Sequence, residues 1–125
     1  MNMTIDYNKR FRFRRFPVYQ ESKSLALRVR EVCRRFPPFE YSLKSQLTRA
    51  ADSVVLNIAE GSERGTDRDF ARFLTTSRAS ANEVVAVLDI ARDLGYVNEI
   101  VHDDLLRKIA LLANQLTAFR KQLIT

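Results

Sequence analysis

Four stretches of this chain have interiors without proline or glycine and place apolar residues at alternating spacings of three and four. That is the period of one face of an α-helix. Ser22, Leu25, Val29, Val32 and Phe36 predict a first helix from about Val18 to Phe36. Leu43, Leu47, Val54 and Ile58 stripe a second, which starts near Ser42 and stops at Gly61. The third carries Phe70, Phe73, Leu74, Ser77, Ala81, Val84, Leu88 and Ala91 and ends before Gly95. The fourth starts at Asn98 and carries Leu105, Ile109, Leu112, Leu116 and Leu123. Pro17, Pro37-Pro38, Gly61/Gly65 and Gly95 punctuate the gaps, as helix-breaking residues should.

Local chemistry agrees with these limits. Ser42 and Thr66 are good N-caps, Gly61 suits a helix C-terminus, and Asp69 lies where a capping box places its acidic partner. Connections of a few residues force sequential helices to run antiparallel. The predicted fold is therefore all-α: an up-down-up-down four-helix bundle over residues 17–125, preceded by an arm at residues 1–16.

Helix 2 has more apolar surface than one core-facing stripe needs. Val55, Leu56 and Ala59 lie roughly 100° to 160° from Val54 at the standard turn per residue. Leu27 stands among charges on helix 1, and Val84-Val85-Ala86-Val87-Leu88 runs unbroken on helix 3. Clustered apolar residues outside a core stripe point to an interface between copies of the chain. The competing account is that loops or the arm fold over them. Beside the helix 2 stripe, Arg49, Ser53, Asn57 and Glu60 form a polar row, matched on helix 3 by Ser80 and Glu83. These six are expected to form an internal network that sets helix register.

The chain has 125 residues, 21 Lys/Arg, 15 Asp/Glu and a net charge of +6. The charge is lopsided: residues 1–50 hold 12 Lys/Arg against 4 Asp/Glu, and residues 51–125 hold 9 against 11. An excess of this kind draws anionic partners, nucleic acid foremost. Its densest part is Lys9-Arg10-Phe11-Arg12-Phe13-Arg14-Arg15-Phe16, which alternates cations with rings. Cations can hold phosphates and rings can stack on unpaired bases. Equally, the phenylalanines can dock on the bundle and leave the arginines in water. The candidate nucleic-acid contacts are Lys9, Arg10, Arg12, Arg14, Arg15, Arg30, Arg34 and Arg35, and the candidate oligomer contacts are Leu27, Val55, Leu56 and Ala59.

Enzymatic signals are thin. Glu99-Ile100-Val101-His102 matches one Glu-x-x-His element of a di-iron bundle, but such a site needs two, and His102 is the only histidine. One cysteine, Cys33, and one histidine form no zinc pattern, and Gly61-x-x-x-Gly65 lacks the lysine of a phosphate loop. We expect no catalytic residues, metal or cofactor. No apolar run approaches a membrane span, the basic N-terminus lacks the apolar core of a signal peptide, and a lone cysteine fits a reducing cytoplasm.

Several elements also occur together in a known order. Val18-Tyr19-Gln20, Phe36-Pro37, Arg49…Ser53…Asn57-Ile58-Ala59-Glu60-Gly61, Phe70-x-x-Phe73-Leu74, Ser80-x-x-Glu83 and Asp93-Leu94-Gly95-Tyr96 resemble the bacterial four-helix-bundle proteins encoded in intervening sequences of 23S ribosomal RNA genes. That family is related to the accessory variability proteins of diversity-generating retroelements. The resemblance implies a cytosolic, non-enzymatic bundle that assembles as a ring-shaped homopentamer. It also implies RNA or DNA, or a reverse transcriptase, as partners of the basic surface. An oligomeric scaffold for another protein, with the charge incidental, is the alternative.

Overall fold

The computed structural model describes residues 4–125 and is helical throughout, with no strand among them. Residues 1–3 of the arm lie outside the described residues. Four long helices, α1 (Pro17–Cys33), α2 (Tyr41–Gly61), α3 (Asp67–Asp93) and α4 (Glu99–Ile124), follow two short turns, Tyr7–Arg10 and Arg12–Arg15. Each long helix packs on its neighbours in sequence, and α4 closes back on α1. Partner numbers fall on one helix as they rise on the next. Arg30 meets Asp52 and Cys33 meets Thr48; Asp89 meets His102 and Arg78 meets Thr117. The neighbours are thus antiparallel, and the core lies along the bundle axis around Val29, Leu47, Val54, Ile58, Leu74, Leu88 and Leu105.

Helix limits follow local chemistry where that chemistry is complete. Thr66 accepts from the Asp69 N–H at 3.1 Å, and Asn98 accepts from Val101 at 2.8 Å. Helix α3 ends in a Schellman motif. Gly95 takes φ +82°, its N–H bonds to the Arg92 carbonyl, and the Tyr96 N–H bonds to Ala91, both at 2.9 Å. Two limits differ from the sequence reading. Helix α1 stops at Cys33, and Arg34–Phe36 tighten into bonds to the third preceding carbonyl. The reason is Pro37, which disfavours helical geometry in the residue before it. Helix α2 starts at Tyr41 rather than after Ser42. The Glu40 N–H bonds to the Pro37 carbonyl at 3.0 Å, so the diproline turn itself launches the helix two residues early.

Gly61 works by closeness rather than by conformation. It remains helical with Ser62 as C-cap, and a Cβ there would fall 2.6 Å from the Phe73 Cβ and 2.8 Å from Phe70 Cδ1. Atoms anchored that near the backbone cannot move aside cheaply. Gly65 has open space around it and no positive φ. Gly61→Ala should therefore cost about 1–3 kcal/mol by overpacking, read as a lower urea midpoint. Gly65→Ala should be neutral or slightly stabilising, and the reverse order would refute this packing.

Candidate functional surfaces

The eight candidate cations separate into distinct environments. Lys9 and Arg10 close the short turn Tyr7–Arg10, where a helix C-terminus favours positive charge; the same holds for Arg34 and Arg35 after α1. Lys9, Arg10, Arg14, Arg15, Arg34 and Arg35 are exposed, and none has an acidic partner within 4.0 Å among the described residues. The other two are occupied. Arg30 grips Asp52 through two 2.8 Å bonds, and that bonding raises its pKa further. Arg12 donates to the Ser62 carbonyl through Nε (3.2 Å) and Nη2 (2.9 Å) and lies 5.5 Å from the centres of both the Phe16 and Phe70 rings. Arg12 and Arg30 thus leave the set of cations open to phosphate.

The arm folds onto the bundle rather than running beside it. Asp6 caps the Tyr7–Arg10 turn by accepting from Asn8 and Lys9. Phe16 stacks on Phe70 (6.2 Å) and meets Phe119 edge-on (5.3 Å), while Phe13 meets Tyr19 edge-on at 4.9 Å. These contacts gather Lys9–Arg15 at the end of the bundle where α2 and α4 finish. Arg34 and Arg35 sit at the opposite end, roughly 25 Å away along the 17 residues of α1. A charge excess that is continuous in sequence is therefore two patches in space.

The apolar surplus divides as well. On α3, Val84, Val87 and Leu88 are buried within the chain and Val85 packs partly buried against them, so most of the unbroken run is absorbed by the bundle core and only Ala86 is exposed. On the α1–α2 side Leu27 and Leu56 remain 60% and 62% exposed, while Val55 and Ala59 are half-buried. The register set by Arg30–Asp52 and Cys33–Thr48 brings Leu27 level with Val55 and Leu56. Beside them an open groove of about 770 Å³ runs along α2, lined by Tyr41, Lys44, Thr48, Asp52, Leu56 and Asn57 among others.

Three of the six candidate network residues are joined. The Ser53 and Ser80 hydroxyls lie 2.8 Å apart, and Asn57 Nδ2 donates to the Ser53 carbonyl (2.8 Å) and Oγ (3.1 Å). Because Asn57 supplies a proton to Ser53 Oγ, the Ser53 hydroxyl can donate to Ser80. Nearby, Ser77 Oγ donates to the Val54 carbonyl at 2.7 Å, wholly buried. Arg49, Glu60 and Glu83 are exposed and take no part. At the half-exposed edge of a helix pair their long side chains keep the charge hydrated, avoiding the desolvation cost of an internal ion pair.

One constellation escaped the sequence reading. His102 is buried, its Nε2 2.7 Å from Asp89 Oδ1, with Arg92 Nη1 3.5 Å from Nδ1. Arg92 in turn reaches Asp93 (3.4 Å) and Glu99 (3.8 Å). The glutamate of the Glu-x-x-His element thus faces an arginine, and the cluster ties α3 to α4. Its only sequence signal is Asp89 three residues before Arg92, which acquires meaning once the hairpin register is known. Cys33 is also buried, with Thr48 Oγ1 3.9 Å away, and burial pushes its thiol pKa up.

The fold and these surfaces define a basic antiparallel helical bundle. The chain belongs to the 23S rRNA-intervening sequence protein family, whose profile matches residues 14–118. It is similar in fold to the crystal structure of a protein of unknown function from the S23 ribosomal protein family of Bacteroides thetaiotaomicron. That likeness has a TM-score of 0.78 at 20% identity and covers 83% of this chain and 98% of the other. No curated protein matches the chain. Among the described residues no helix is long and apolar enough to cross a membrane.

A thiol held up in pKa and only 8% exposed at the wall of the α2 groove should react slowly. A disulfide reagent at neutral pH is expected to label Cys33 in the folded chain at least about tenfold more slowly than in the urea-unfolded chain. Equal rates would place the sulfur at the surface.

Proposed function

We propose that this protein is a non-enzymatic, homo-oligomeric bundle that binds nucleic acid through its exposed cations, with little sequence preference. The observation that carries this reading is the set of six exposed cations, Lys9, Arg10, Arg14, Arg15, Arg34 and Arg35, without carboxylate partners among the described residues. Other cations are paired, as at Arg30–Asp52, Arg107–Asp103 and Lys108–Asp104, and the remaining unpaired ones, such as Lys23 and Arg49, are scattered singly rather than gathered. Cations left at two ends of a rod suit a polyanion that passes along or between subunits.

Assembly draws support from Leu27 and Leu56, exposed at one level of α1 and α2, with Val55 and Ala59 of α2 half-buried. A homopentameric ring, as the sequence resemblance implies, would multiply the +6 of each copy fivefold and strengthen the field that attracts phosphate. The absence of catalysis is supported by the state of the two side chains best suited to it: His102 is buried against Asp89, and the Cys33 thiol is held protonated. Cytoplasmic residence belongs to the same reading, since a lone buried thiol is compatible with a reducing compartment. A protein scaffold is the second reading, favoured by the open α2 groove; capture of a partner from nuclease-treated lysate with no nucleic-acid affinity would select it. A reverse transcriptase is one partner that such a pull-down would identify.

Binding by phosphate neutralisation releases counterions. Six contacts per protomer predict a logarithmic salt slope of about −4 on single strands, or roughly two orders of magnitude in Kd between about 50 and 200 mM salt. Titration of labelled single-stranded RNA and duplex DNA measures this, and no binding at the lower salt would refute the reading. For assembly, Leu27→Glu with Leu56→Glu should shift sedimentation toward the 14.5 kDa protomer. A wild-type chain that is already monomeric at micromolar concentration would remove the oligomer.

A further inference from the structure

The connection between α1 and α2 and the first residue of α2 carry two aromatic rings that the bundle does not use. Phe39 and Tyr41 are each 77% exposed, whereas Phe36 of the same segment is buried, its ring 5.4 Å from that of Tyr96. Pro37 and Pro38 fix two backbone φ angles, and the Pro37 carbonyl accepts the Glu40 N–H. The rings are thus carried on a short, stiff turn, anchored on one side by Phe36 and on the other by the start of α2. A ligand settling there orders little that is not already ordered.

The surrounding charge points to the class of ligand. Arg34, Arg35 and Lys44 flank the rings along the chain, the two arginines exposed and Lys44 half-buried; none makes an ion pair among the described residues, and Glu40 is the one carboxylate between Arg34 and Lys44. An apolar protein surface would cover the rings but leave these neighbouring cations without compensation. A polyanion compensates them, and one with unpaired bases also offers flat faces to the rings. We propose that this turn is a stacking platform for single-stranded nucleic acid: Phe39 and Tyr41 take base faces, while Arg34, Arg35 and Lys44 hold the adjoining phosphates. The proposal rests on the nucleic-acid reading above and narrows it to unpaired strands, because a duplex keeps its base faces stacked inside. It also places ring chemistry outside the basic arm, where Phe13 and Phe16 are engaged in packing and Phe11 is 39% exposed with Arg10 over its ring.

The test compares a short labelled oligoadenylate strand with a blunt duplex of equal length, both against the full chain at low salt. Phe39→Ala with Tyr41→Ala should weaken strand binding at least about tenfold, leave duplex binding within about twofold and keep the salt slope, since no cation is lost. Arg34→Gln with Arg35→Gln should instead flatten the salt slope. Exposed positions make these variants safe for folding, and circular dichroism checks it. Unchanged strand binding, or equal losses on strand and duplex, would overturn the platform while leaving the nucleic-acid reading standing. A wild-type chain that binds neither probe would overturn both. A drop in oligomer mass in the ring variant would make the turn a contact between copies and would likewise overturn the platform.

Discussion

The close approach of α2 to α3 is the constraint from which the other surfaces follow. Ala50, Ala51 and Val54 on one helix, with Ser77 and Ala81 on the other, are all buried, and their small volumes let the backbones draw together. Ser77 then reaches the Val54 carbonyl, Ser53 reaches Ser80, and Gly61 admits Phe70 and Phe73. With α2 held in that register, Phe70 presents the ring on which Phe16 stacks, and Ser62 presents the carbonyl that holds Arg12. The same register turns Leu56 outward and carries Asp52 to Arg30. An exposed apolar residue, a docked arm and a paired Arg30 therefore share one cause.

Electrostatics on this framework is a matter of subtraction. The chain begins with an uneven supply of cations, and tertiary structure withdraws some of them by supplying partners. Arg30, one turn before Arg34 on α1, would have extended the basic patch at that end, yet Asp52 pairs with it. The unpaired cations that remain gather at both tips, with Lys23 and Arg49 exposed between them, while the side of the rod carries Leu27 and Leu56. The charged tips and the apolar flank are thus built from different residues.

Legibility in the sequence followed the range of each interaction. Thr66, Asn98 and Gly95 act on their own helix ends, so their roles could be read from a few neighbouring letters. The core stripes were equally readable, because periodicity is local and burial rewards it. The start of α2 was misplaced at Ser42 because a good capping side chain competed with a diproline turn, and the turn acts first along the chain. The arm could not be decided from its own letters, since its partners Ser62, Phe70 and Phe119 lie far along the chain. Asp89 was invisible for the same reason: nothing near it in sequence announces His102. Arg49, Glu60 and Glu83 show the opposite error, where correct spacing was taken for contact although water remained the better partner.

The docking of Phe16 between Phe70 and Phe119 bears on where this protein can be cut. A fragment trimmed to begin at Pro17 would keep all four long helices, and by helix content alone it would look intact. It would nevertheless uncap two phenylalanines at the base of the rod and strip Ser62 of its guanidinium, leaving a greasy, under-bonded stump prone to self-association. Any apparent stickiness of such a fragment would then report the missing lid rather than a property of the whole chain.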